Sequence, residues 1–74
     1  MIKTNDWMKS GTSNQGDETR YTLHGGWFMS FTKSLGEVTV RAPDGTFTIL
    51  DTDDPVTSAI AAKRLAADHV NRNS

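Results

Sequence analysis

Between Thr19 and Leu50 apolar and polar residues alternate in steps of two, and after Pro55 the pattern changes to helical spacing. Period two sends successive side chains to opposite faces of a strand, whereas a 3.6-residue period gathers them on one face of a helix. A chain that does each once, in that order, is expected to fold as α+β. Hairpin-connected strands form first and one C-terminal helix lies over them.

The strands follow from the alternation. Tyr21 and Leu23 share a face opposite Arg20, Thr22 and His24. Gly25-Gly26 is a two-residue hairpin signal, because paired glycines tolerate the positive φ of tight primed turns. Trp27, Met29 and Phe31 then alternate with Phe28, Ser30 and Thr32, and Ser34-Leu35-Gly36 makes the next turn. Val38, Val40 and Ala42 oppose Glu37, Thr39 and Arg41. In Pro43-Asp44-Gly45, proline presets φ and Asp-Gly supplies the reversal. Thr46–Leu50 follows, read with Phe47 and Ile49 inward and Thr46, Thr48 and Leu50 outward. The expectation is a four-stranded antiparallel meander.

Asp54 is placed as the N-cap of the helix and Pro55 at its first position, with acidic charge near the positive pole. The helix is expected over 55–71. Its sheet-facing stripe is Val56, Ala59, Ile60, Ala66, Ala67 and Val70, with Lys63 snorkelling from the same arc. Leu65 falls nearly opposite, with Ala61, Ala62 and His69 on its side. It is either an ordinary surface leucine or part of a second, partner-facing strip.

Ahead of the strands, residues 9–18 (KSGTSNQGDE) carry no apolar side chain, a composition that does not offset the entropy of ordering. Residues 1–18 are therefore expected to be a flexible arm, and 19–74 a single ββββα domain. Ile2, Trp7 and Met8 are the arm's apolar residues. They form either a frayed start or an anchor whose Trp7 docks on the domain or on a partner.

Composition bounds the function. Seventy-four residues leave no room for separate cofactor and substrate halves, and the absence of cysteine removes disulfides and cysteine-ligated zinc. A net charge of −1 lacks the electrostatic signature of a dedicated nucleic-acid binder. No apolar run approaches a membrane span and no secretory leader stands at the start, so a cytoplasmic protein is expected. The core is small for the chain that it must order, which favours a two-fold homodimer using a strand edge or the Leu65 strip.

Catalytic chemistry finds little purchase. His24 and His69 could act as bases, but no nucleophile signature surrounds them, and a non-enzymatic protein is expected. HExxH is absent, and Asp51, Asp53 and Asp54 lack the glycine and distal glutamate of a calcium loop. No metal or cofactor is expected. Charge patterning says more. From Ala42 to Ala62 there is no lysine or arginine, while Asp44, Asp51, Asp53 and Asp54 all fall there. The turn and the loop sit at opposite ends of one strand, so they need not form one patch. They are either a solvated surface or an acidic surface that approaches a basic groove on a larger protein, such as one built for nucleic acid.

From Glu37, the succession EVTVRAPDG, TFTILDTDDP, VTSAIAAKRLAADHV resembles the layout of the plant ethylene-response-factor type domain and the arm-binding domain of phage integrases. That resemblance implies a sheet packed on one helix, whose outer face reads a DNA groove. The matching face here would carry Arg20, Thr22, Thr39, Arg41, Thr46 and Thr48. In style, a short cysteine-free sheet-and-helix unit also resembles small phage accessory proteins, the anti-CRISPR inhibitors among them, which work by stoichiometric binding. The expectation carried forward is an inhibitor-like module that occupies a surface of a larger protein. Asp44, Asp51, Asp53 and Asp54 would steer, Leu65 and Trp7 would anchor, and His69 would belong to the strip around Leu65. DNA binding through Arg20, Thr39, Arg41 and Thr48 is the alternative, and an assembly subunit a third.

Overall fold

The computed structural model describes residues 1–13, 16–50 and 52–73. Five antiparallel strands lie side by side in chain order, so each neighbouring pair is a hairpin. They are β1 (Met8–Thr12), β2 (Glu18–Leu23), β3 (Trp27–Thr32), β4 (Glu37–Arg41) and β5 (Phe47–Ile49), and helix α1 (Ala59–Asn73) covers one face. The α+β class holds, but the sheet has five strands, not four.

The additional strand lies in the polar lead-in read as a flexible arm. An edge strand needs backbone partners more than apolar side chains, and β1 has them: Met8 pairs with Thr22, Lys9 with Tyr21, Gly11 with Arg20 and Thr12 with Thr19. The register slips between Lys9 and Gly11, a bulge that blunts the open edge. Two ties hold the segment on either side. Asn71 brackets the Ile2 backbone, its Oδ1 accepting from the Ile2 N–H at 2.8 Å and its Nδ2 donating to the Ile2 carbonyl at 3.1 Å. The Asp17 carboxylate accepts from the Ser34 N–H at 2.8 Å and the Ser34 hydroxyl at 2.6 Å. Trp7, just before β1, is buried in the core.

The β2–β3 connection has three residues, not two. Leu23 pairs with Trp27 across His24-Gly25-Gly26, and both glycines take φ near +90°. Gly36 closes the β3–β4 turn at φ +63°, and a Cβ there would stand 2.5 Å from Pro55 Cβ and 2.8 Å from Pro55 Cα. The Val56 N–H donates to the Gly36 carbonyl at 3.0 Å, so the chain leaving the sheet is pinned across this turn.

That crossing moves the helix start. Pro55 and Val56 are spent bracing Gly36, and α1 begins at Ala59 behind Ser58. The Ser58 hydroxyl accepts from the Ala61 N–H at 3.2 Å and its carbonyl from the Ala62 N–H at 3.1 Å. Ser58, not Asp54, caps the helix. Its buried stripe is also rolled from expectation: Ala62 and Ala66 are fully buried at its centre with Ala67 and Val70, while Ile60 is exposed and Leu65 packs against the core. Alanines at the centre of the contact let the helix lie close to the sheet, and the longer Leu65 fills the flank. Lys63 is half-buried, its Nζ 5.2 Å from the centre of the buried Tyr21 ring.

Tyr21, Met29, Phe31, Val38 and Val40 face the helix as the alternation requires. The last strand is inverted. The Ala42 N–H donates to the Thr46 carbonyl at 2.8 Å, which sets Arg41 opposite Phe47 and Thr39 opposite Ile49. Arg41 points away from the helix, so Phe47 and Ile49 do too. Thr48 shares Val40's face, and Leu50 takes the core position. A one-residue change of register reverses every side chain of a strand.

Candidate functional site

The inversion of β5 builds an apolar surface on the face that α1 leaves uncovered. Registers across the sheet line up residues in rows. Met8, Thr22, Phe28, Arg41 and Phe47 are successive partners across all five strands. The adjacent row is Gly11, Arg20, Ser30, Thr39 and Ile49, and beyond it come Glu18, Thr32 and Glu37. Large apolar side chains stand open to solvent here: Met8 is 68% exposed, Phe47 63%, Ile49 57% and Phe28 40%. Large exposed apolar side chains gathered on one face mark an interaction site more often than scattered single residues do.

Polar groups are placed among them. The Arg41 guanidinium carbon lies 4.5 Å from the centre of the Phe28 ring. Arg20 Nε is 3.6 Å from Glu18 Oε1, the one ion pair among the described residues. The Ser30 and Thr39 hydroxyls are bonded at 2.5 Å. Between these groups runs a groove of about 310 Å³ lined by Arg20, Phe28, Ser30, Thr39, Arg41 and Phe47, with no carboxylate in its wall.

The expected site residues are divided by the fold. Arg20, Thr39 and Arg41 share the uncovered face, whereas Thr48 lies on the helix side of the sheet. Trp7 docks on the domain itself, 4% exposed, with its indole N–H unpartnered among the described residues. Leu65 is half-buried and packs against the flank of the core. His69 is half-buried beside Trp27, edge to face at 6.3 Å. Asp44 is exposed and belongs to its turn: its Oδ1 accepts from the Thr46 N–H at 2.9 Å, which holds its carboxyl below the ordinary carboxylate range. Asp53 and Asp54 are exposed between β5 and α1, and Asp51 lies outside the described residues. The turn and the loop flank β5 at opposite ends, as its position between them requires.

Phe28, Phe47, Ile49 and Met8 are what sequence reasoning missed as a site. Phe28 had a signal, since it alternates out of step with Trp27 and Met29. Phe47 and Ile49 had none without the register of the β4–β5 turn. Among the described residues, no three His, Cys, Asp or Glu side chains gather to hold a metal, and no helix is long and apolar enough to cross a membrane. No protein-family model, curated protein or solved structure matches this chain.

Proposed function

We propose that this protein is a non-enzymatic binding module that acts by occupying a surface of a larger protein, as a stoichiometric inhibitor does, and that it docks through the uncovered sheet face. The observation that carries the reading is the row Met8–Thr22–Phe28–Arg41–Phe47, which spans the sheet and keeps three large apolar side chains in solvent. Burying exposed apolar area around an aromatic and arginine centre is the usual source of binding energy in an interface. A five-strand sheet braced by a helix presents such a row with little to reorganise. Asp44 lies in the turn before β5 and Asp53 and Asp54 in the loop after it, outside this row, and their part is steering.

The test is capture of a partner from cells that carry it, using wild type and a Phe28→Ser, Phe47→Ser double variant. Both substitutions are at exposed positions, so the urea midpoint stays close to wild type while capture is lost. Capture undiminished by the double variant contradicts the reading.

One observation favours a second reading. Arg20 and Arg41 lie on the same face as Phe28 and Phe47, the combination of cations and ring platforms that single-stranded nucleic acid uses. Under that reading, affinity for an oligonucleotide falls steeply with salt and is lost on joint replacement of Arg20 and Arg41 by alanine.

A further inference from the structure

Resting on the docking reading above, we infer that the groove between Arg20 and Arg41 recognises a carboxylate carried beside an apolar side chain on the partner, an acidic residue next to an aromatic or aliphatic one. The groove's walls carry two guanidiniums, hydroxyls and apolar surface, and no carboxylate. Arg20 stands on β2 and Arg41 on β4, two strands apart and one row offset, which places their Cα atoms roughly 12 Å from each other. Strand β3 passes between them and turns Phe28 and Ser30 outward. The side chains of both arginines line the groove above that strand. Arg41 lies over Phe28, and the ion pair of Arg20 engages Nε, so the terminal nitrogens of both remain donors toward the groove. On the floor, one hydroxyl of the Ser30–Thr39 pair donates to the other, and the acceptor's own proton is left to donate again. Two guanidiniums and a hydroxyl against Phe28 and Phe47 match an anion of one charge with an apolar neighbour.

A polyanion is disfavoured on the same face. Glu18 and Glu37 stand in the row on one side of the groove, and Asp44 lies in the turn beyond Arg41 and Phe47 on the other. A phosphate chain laid along the strands would meet carboxylates at both ends, whereas a single carboxylate fits between them.

The test is a titration of the isotope-labelled protein, read by its amide resonances, with the capped dipeptide acetyl-Asp-Phe-amide, its acetyl-Asn-Phe-amide counterpart and a short oligothymidylate. The Asp-Phe peptide is expected to move the signals of Arg20, Ser30, Thr39 and Arg41 saturably. The Asn peptide should bind about tenfold more weakly, since a charge-assisted hydrogen bond is replaced by a neutral one. Arg20→Gln and Arg41→Gln should each weaken the Asp-Phe peptide by about the same factor while leaving the urea midpoint in place. Equal affinity for the two peptides, no saturable shift at this face, or tighter binding of the oligothymidylate there each overturns the inference. If Phe28→Ser with Phe47→Ser abolishes partner capture while both arginine variants capture normally, docking through this face stands and the carboxylate chemistry falls.

Discussion

Two residues hold loop to loop, and each makes a prediction of its own. At Gly36 a left-handed backbone coincides with the closest approach of Pro55 and Val56, so an added methyl meets the Pro55 ring and Cα and the Val56 nitrogen, which is itself hydrogen-bonded to the Gly36 carbonyl. Gly36→Ala is expected to cost about 2 kcal/mol or more, from the positive φ and the collision together, and a urea melt measures it. Gly45→Ala, also at positive φ but in open space, should cost less. Asp17 joins the chain entering β2 to the β3–β4 turn. The Ser34 hydroxyl and then the Ser34 backbone N–H hold its carboxyl below the ordinary carboxylate range. A depressed folded value means that the ionised form stabilises the fold above the unfolded value, near pH 4, and that this contribution disappears as pH falls through the folded value. Asp17→Asn should therefore flatten the acid limb of the stability profile and leave less difference from wild type at low pH than at pH 7.

At the scale of elements, what the sequence made legible depended on how many independent signals agreed. In β2, β3 and β4 the alternation, the flanking turns and the β-branched or aromatic residues all point the same way, and Tyr21, Met29, Phe31, Val38 and Val40 face the core. In β5 the alternation was misleading, because Phe47, Ile49 and Leu50 are all apolar and three residues of strand cannot fix their own orientation. The turn at Asp44 fixes it. Past Met8, β1 left no apolar trace, since its stability comes from pairing with β2 and not from a buried face. The helix showed its length in its alanines, but its start was obscured by two competing caps. Asp54-Pro55 has the composition of one and Ser58 makes the bonds. Ser58→Ala should accordingly cost about 1 kcal/mol in a thermal or urea melt, and Asp54→Ala close to nothing. Similarly, Leu65→Ala should destabilise by about 2 kcal/mol as a partly buried leucine, whereas Ile60→Ala, at an exposed position, should fall near zero.

The candidate site is a property of the whole molecule. No single strand carries it: Met8 comes from β1, Arg20 from β2, Phe28 from β3, Arg41 from β4 and Phe47 from β5, and only the registers bring them together. For that reason Arg20, Thr39 and Arg41 could be grouped from alternation within strands, but their apolar neighbours could not. With one face of the sheet sealed by α1 and the other open, the free protein is expected to self-associate weakly as concentration rises, by burying the open face against a second copy. Sedimentation of wild type and of the Phe28→Ser, Phe47→Ser variant should show the association in the first and its loss in the second. Association unchanged in the variant would assign it to a strand edge.

Hydroxyl-radical footprinting of the protein alone and bound to its captured partner tests most directly whether this face is the one that docks. Met8, Phe28 and Phe47 lie on it, while Leu35 and Ile60, which are 66% and 62% exposed, lie elsewhere. Loss of oxidation at Met8, Phe28 and Phe47 in the complex, with Leu35 and Ile60 still reactive, is the predicted result. Protection of Leu35 or Ile60, with Phe28 and Phe47 as reactive as in the free protein, would contradict it.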